Sequence, residues 1–277
     1  MTRPEDVAHN RELWDQLSGM VSAADGLDRW RGDGIRWGLS GTPEVALRAL
    51  GEVAGRTVVE LGCGVAPLSA HLVRQGARVI AVDLSWAQLA AARGAQQAPP
   101  GGGGPAPRFP LVQADAEHLP LADRSADLVV SEHGVAAWCE PEAWVAQASR
   151  VLRPGGRLAF LTNSPLSAMC VPAEGGPAGD RLLRGPADLA EIRWPGGGVE
   201  HHPTHGAWID VLAAHGLVVE ALHELTGPGG SPAADAGPGV AADPGADAYP
   251  GADAYGIADA AWAARWPVED LWVARRP

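Results

Sequence analysis

The chain of 277 residues contains no lysine. Arginine supplies all of its fixed positive side-chain charge, so catalysis through a lysine Schiff base is excluded. Cations are scarce altogether: 21 stand against 33 acidic residues, for a net charge of −12. Phosphate contacts need clustered cations, so nucleic acid is not an expected partner. Cys63, Cys139 and Cys170 are too few and too scattered for a disulfide framework or a zinc site, which suits a reducing cytoplasm. No apolar run is long enough to cross a membrane, and the first residues, MTRPEDVAHNRELWDQ, lack the apolar core of a signal peptide. The expectation is a cytoplasmic chain with no membrane contact. Phenylalanine and tyrosine number two each, whereas tryptophan reaches 11. Missing lysine beside abundant Ala, Gly, Pro and Arg suggests a GC-rich bacterial genome.

The most informative stretch that is present reads VVELGCGVAP, residues 58–67. An apolar strand runs into Glu60, a tight turn follows at Gly62-Cys63-Gly64, and a helix is predicted over roughly 68–75. Glycine lets backbone approach a bound nucleotide-like ligand because it carries no Cβ. A carboxylate just before the turn repels a pyrophosphate but attracts an ammonium group or ribose hydroxyls. That pattern points to S-adenosylmethionine rather than NAD. A nicotinamide-dependent dehydrogenase predicts a full G-x-G-x-x-G and no acid at position 60, and the sequence fails both.

Four further strands follow. Residues 78–82 end in Asp83, about 20 residues past the glycine turn, where a dinucleotide-type fold places an acid for ribose hydroxyls. Residues 111–117 carry Asp115 and Glu117, residues 126–131 lead into Glu132-His133-Gly134, and residues 157–161 follow the turn Arg153-Pro154-Gly155-Gly156. Strands alternating with helices imply an α/β fold: a doubly wound parallel sheet, whose ligands bind at the carboxyl ends of the strands. Glu60, Asp83, Asp115 and Glu132 all fall at those ends.

With these motifs in order, the chain resembles a class I S-adenosylmethionine-dependent methyltransferase of the bacterial small-molecule type. The matching segments are ELGCG at 60–64, VDLS at 82–85, ADAEHLPL at 114–121 and RVLRPGGRL at 150–158, covering about half the chain at the usual spacing. The family often has a third glycine where Ala66 stands here. The resemblance implies a Rossmann-like seven-stranded sheet whose sixth strand is 217–222 and whose seventh, antiparallel strand is 271–274. It also implies a helix over 204–215 capped by Thr204. Residues 1–50 form an N-terminal helical lid and 51–277 the methyltransferase domain, with 163–203 inserted as an acceptor pocket. Within the lid, 9–17 reads as a helix, and Thr42 and Pro43 read as the cap and first turn of another. A helix merely packed on the sheet edge is the alternative to a lid. Residues 99–107 and 227–256 are low in complexity, the latter with the tandem repeat PGADAY, and are expected to be disordered loops.

For the donor, the resemblance implies contacts from Glu60, Gly62, Cys63, Gly64, Asp83, Leu84, Gln88, Asp115, Ala116, Glu117 and Glu132. Asp83 takes the ribose hydroxyls, Asp115 and the Ala116 amide take the adenine edge, and Glu60 lies near the amino-acid portion. Cys63 serves as a small residue rather than a nucleophile, since methyl transfer needs none. A hydroxyl acceptor needs a base. His133, beside the donor after the fourth strand, is the first candidate, with a structural hydrogen bond as its other reading. His9 and the group His201, His202 and His205 are alternatives. A metal site at His201, His202 and His205 is not expected, because Pro203 interrupts the spacing and no acid completes the set. Trp14, Trp30, Trp37, Trp138 and Trp194, with His201, are assigned to an acceptor pocket and Trp208 to a pocket-forming segment, with core filling as the bland alternative. Trp86 and Trp144 are expected to pack helices on the sheet.

The expected activity is methyl transfer to oxygen or nitrogen of a small organic molecule in bacterial specialised, natural-product metabolism, by a monomer or homodimer. A donor-binding protein without catalysis, or a methyltransferase acting on a peptide or protein, are the competing readings.

Overall fold

The structure is a computed structural model that describes residues 2–18, 30, 32, 34–39, 41–97, 106–195, 197–227 and 258–277. Most of the two low-complexity loops, at 98–105 and 228–257, lies outside the described residues.

Helix α1 (Pro4–Leu17) leads, with Pro4 where its missing N–H costs nothing. Strands β1 (Arg36–Trp37) and β2 (Thr42–Pro43) form a small antiparallel ribbon ahead of α2 (Glu44–Leu47). The expected Thr42 cap is therefore wrong. Thr42 pairs with Trp37 in the ribbon, and α2 begins after Pro43 with no side-chain cap. The main sheet follows: β3 (Thr57–Leu61), α3 (Pro67–Arg74), β4 (Arg78–Asp83), α4 (Trp86–Gln97), β5 (Leu111–Gln113), β6 (Ala126–Glu132), α5 (Pro141–Val151) and β7 (Leu152–Asn163). Then come α6 (Pro165–Cys170), a hairpin of β8 (Ile192–Trp194) and β9 (Gly197–Glu200), α7 (His205–Ala214), β10 (Val218–Leu225), α8 (Ala260–Ala263) and β11 (Glu269–Arg275).

The seven-stranded sheet runs β10-β11-β7-β6-β3-β4-β5. Strands β3 to β7 are mutually parallel, and β11 enters antiparallel between β7 and β10. The RPGG turn is absorbed into β7, whose register on β6 jumps from Leu152 to Arg157. Chain order reverses between β3 and β6, which opens a crevice at their carboxyl ends.

Both faces of the sheet are covered, so its strands read as nearly unbroken apolar runs. Val58, Ala159, Leu161, Leu271 and Val273 face one core with Leu50 and Leu72. Val59, Leu158, Phe160 and Trp272 face the other with Val145 and Leu212. In that second core Trp144 stands edge-on to Phe160 at 5.2 Å, and Trp208 packs 4.9 Å from the same ring. Trp144 thus packs α5 on the sheet, and Trp208 is a core residue rather than a pocket one. Trp86 is 56% exposed with the Arg93 guanidinium near its ring, so its expected packing role does not hold.

Candidate active site

A cavity of about 470 Å³ sits over the carboxyl ends of β3, β4, β6 and β7. One half is built from strand ends. Glu60, 3% exposed, lies where β3 ends, and its carboxylate accepts the Ser69 hydroxyl. Burial pushes the Glu60 carboxyl up to about 8, against the pull of Ser69, with Glu132 and Asp83 adding repulsion. The loop after β3 turns through Gly62, Gly64 and Ala66, all at positive φ. Gly62 is forced to be glycine twice over: a Cβ there would lie 2.4 Å from the Gly134 Cα on the β6 loop. Ala66 holds φ 59° and ψ 41° where a glycine would be at ease.

Asp83 ends β4 and secures that loop. Its two oxygens accept the Gly64 N–H at 2.7 Å and the Ser85 N–H at 2.8 Å. Burial raises the Asp83 carboxyl, and these amide bonds partly offset it. Leu84, Gln88, Asp115 and Ala116 continue the wall. Burial, then the charges of Asp83 and Glu60, pushes the Cys63 thiol well up, so Cys63 fills space. Glu117 lines the wall, but its carboxylate accepts the Thr2 and Glu140 amides, each at 2.9 Å. It anchors the segment before α1.

The other half comes from α1 and the 163–203 insertion. Val7, Asn10 and Trp14 line it from α1; Asn163, Ser167, Val171, Trp194, Glu200 and His202 line it from the insertion. Asn10 is buried and grips β9: its amide donates to the Val199 carbonyl at 3.2 Å and accepts the Val199 N–H at 3.0 Å. Further along α1, Asp15 accepts the Ser85 hydroxyl at 2.5 Å, beside the Asp83 turn. Trp14 meets Trp138 edge-on at 5.1 Å. Thr162 Oγ1, Asn163 Oδ1 and His202 Nδ1 are buried at this wall with no hydrogen-bond partner among the described residues. Such groups ask for a ligand or water. His202 Nε2 lies 2.7 Å from Glu200. Burial pushes the Glu200 carboxyl up, but the His202 bond and charge outweigh it and hold the group below its usual range.

His133 stands between the halves. It adopts φ 50°, a left-handed geometry that histidine reaches more readily than most residues. Its Nε2 hydrogen-bonds the Glu269 carboxylate, which also accepts the Leu39 N–H at 3.0 Å. Glu269 is buried at the start of β11, opposite Asn163.

Several expected site residues lie elsewhere. Trp37 is 0% exposed, donates to the Glu44 carboxylate at 2.6 Å and belongs to the core. Trp30 is likewise buried, stacked on Phe109 with its N–H on the Val65 carbonyl. Trp30, Ile35, Trp37, Ala49 and Leu50 thus pack against the sheet, and it is α1, with Gly38 and Leu39, that reaches the cavity. His201 is turned to the Ala190 carbonyl at 2.7 Å, and its neighbour His202 faces the cavity instead. His9 is exposed on a separate shallow surface with Glu5, Asp6 and Arg193. His205 pairs with Asp270 and does not line the cavity. Glu269, Asn10 and Glu200 were not among the residues singled out for the site from sequence, whereas His202 was named only within a group of alternative bases. The acid in PVED just before the last apolar strand was the available signal for Glu269.

Comparison with known proteins places this geometry. Residues 59–160 match the family described as methyltransferase domain. A ubiquinone/menaquinone biosynthesis C-methyltransferase of Syntrophotalea carbinolica is 30% identical over 221 residues, spanning 77% of this chain and 85% of that protein. A malonyl-[acyl-carrier protein] O-methyltransferase of Methylococcus capsulatus is 39% identical over 119 residues, or 42% of this chain and 40% of that protein. An S-adenosylmethionine-dependent methyltransferase of Mesorhizobium loti superposes with a TM-score of 0.58 at 27% identity, covering 86% of this chain and all of the other.

Proposed function

The chain belongs to the class I S-adenosylmethionine-dependent methyltransferases, and from that premise we propose that it methylates an oxygen or nitrogen of a small organic molecule. The cavity suits the donor on its own chemistry. Buried Glu60 and half-buried Asp83 line the cavity as carboxylates suited to an ammonium and a ribose diol. Asp83 and Gln88 would hold the ribose, Asp115 and Ala116 the adenine, and Glu60 the amino-acid end. When bound, the sulfonium supplies an activated methyl group to an in-line nucleophile and departs as the thioether.

The chain's own part is positioning and proton removal. The acceptor lies in the half walled by Trp14, Trp138 and Trp194, with Asn163 and His202 as polar fixing points. As the acceptor is methylated, its proton would pass to His133. Glu269 holds that ring and steadies the imidazolium that results, as a carboxylate does for a catalytic histidine elsewhere. The observation that carries this reading is the His133–Glu269 pair at the junction of the two halves. α1, docked across both halves, serves as the lid. The apolar, tryptophan-walled pocket fits an aromatic or aliphatic acceptor of bacterial specialised metabolism. Carbon methylation is the second reading, favoured by the name of the Syntrophotalea relative, and the same base would take the ring proton.

The test is release of S-adenosylhomocysteine by the purified protein offered phenols, hydroxy acids, amines and activated ring carbons. Turnover with a small oxygen or nitrogen nucleophile is expected. Turnover confined to a carbon acceptor, to a peptide or to a carrier-protein substrate would overturn the oxygen/nitrogen small-molecule reading.

A further inference from the structure

Glu200 beside the histidines at 201–205 is taken up by His202, but the fold brings two further acids to His205. His205 opens α7, and its Nε2 lies 2.7 Å from Asp270 Oδ2 on β11. Asp270 stands directly opposite Glu224 on the neighbouring antiparallel strand β10. One donor atom from each of His205, Glu224 and Asp270 falls within 4.8 Å of the others. Among the described residues, this is the cluster of histidine, cysteine and carboxylate groups that meets that spacing.

Two features of the cluster call for a cation. Carboxylates directly opposite on paired strands repel each other, and a single imidazole carries at most one positive charge against two. Asp270 is also 0% exposed, and its Oδ1 has no hydrogen-bond partner among the described residues. Burial, opposed by His205 but reinforced by Glu224 and Glu269, raises its carboxyl to about 6. A buried carboxylate with an unmet oxygen beside a second carboxylate is a costly arrangement without a counter-ion.

We propose that His205, Glu224 and Asp270 form a binding site for a first-row divalent cation of the zinc class, separate from the methyl-transfer cavity. One imidazole nitrogen and two carboxylates are a donor set such ions accept, and Glu224 at the exposed side leaves room for water as a further ligand. Binding would replace the His205–Asp270 hydrogen bond. The two donor atoms would part from 2.7 Å to the ~3.3 Å that ligands of a tetrahedral ion keep. The cation then clasps the first turn of α7 to β10 and β11. Its Asp270 ligand adjoins Glu269, the partner of His133.

The experiment is calorimetric titration of zinc chloride into the chelator-treated full-length protein, with His205→Ala and Glu224→Gln alongside and thermal melting of each with and without the metal. The expected result is one equivalent bound by the wild type. Affinity should fall ~10-fold or more in each variant, and the metal-dependent rise in Tm should be lost with it. Absence of stoichiometric binding in the wild type, or binding of equal strength in both variants, overturns the proposal. Should His205→Ala not fold, Glu224→Gln, altered on an exposed side chain, decides the matter alone.

Discussion

His133 and Glu269 are 136 residues apart in the chain, yet the imidazole of one bonds the carboxylate of the other at the wall of the cavity. A loop after the fourth strand and the first residue of the last strand are thereby made into one unit. If this pair removes the acceptor's proton, His133→Ala should lower kcat by ~10²-fold or more. Glu269→Gln should lower it by ~10-fold and displace the acidic limb of the kcat–pH profile, while donor affinity stays as in the wild type. Both follow from initial rates across pH and calorimetry with S-adenosylhomocysteine. A normal rate in His133→Ala would remove the base assignment, and an unmoved pH profile in Glu269→Gln would reduce Glu269 to a structural tie.

Asp83 is half-buried and already accepts two amide bonds, so it is ordered before any ligand arrives. Replacing it with alanine should weaken donor binding by ~10-fold or more, since a charge-assisted hydrogen bond contributes roughly 1.5–3 kcal/mol. Unchanged affinity of Asp83→Ala in calorimetry would contradict the ribose assignment.

Glu60 carries a pH signature. Its carboxyl lies near 8 in the ligand-free fold against an ordinary 4.5, so the folded chain keeps a proton that the unfolded chain gives up between those values. Stability arising from this group is complete below pH 4.5 and falls as pH rises towards 8. Glu60→Gln should flatten that fall in thermal melts. An ammonium seated beside Glu60 favours its ionised form, so donor binding at pH 7 should release up to about one proton per site. Calorimetry in buffers of different ionisation enthalpy measures this. No buffer dependence would mean that Glu60 does not meet the ammonium.

The Gly62 and Gly64 positions share a left-handed backbone but differ in surroundings. At Gly62 an added Cβ would overlap Gly134, whereas at Gly64 the nearest atom is Gln88 Oε1 at 3.7 Å. Gly62→Ala should cost roughly 2–4 kcal/mol through strain and overlap combined, and Gly64→Ala only about 1 kcal/mol. Denaturant unfolding of both variants checks the order, and equal effects would deny the close approach of the two loops.

The sheet and the strand-end acids that line the cavity were readable from residue order because each acid sits one strand length past a local signal. Glu60, Asp83 and Asp115 are set by neighbours in sequence, and the parallel strands announce themselves as apolar runs. The acceptor wall was not readable in the same way. Glu269 matters through a partner 136 positions away, and Asn10 through Val199 at a distance of 189. Beyond the acid in PVED ahead of the last strand, nothing local marks either. The tryptophans show the same limit. Trp14 and Trp138 line the cavity while Trp37 and Trp208 are core, and only tertiary packing separates them. His201 and His202 are adjacent in an extended segment, where successive side chains point opposite ways, so which one faces the cavity depended on strand placement.

The ties that fasten the first helix include Thr2 to Glu117 ahead of it, Asn10 to Val199 at its middle and Asp15 to Ser85 near its end. The outermost ties reach segments beside the adenosyl wall, and the middle tie reaches the hairpin that borders the acceptor. Neither chamber can then be entered or emptied along this side without loosening a rod the other also leans on. Traffic of the two substrates would be mechanically linked, and a residue as plain as Asn10 would set how freely both come and go.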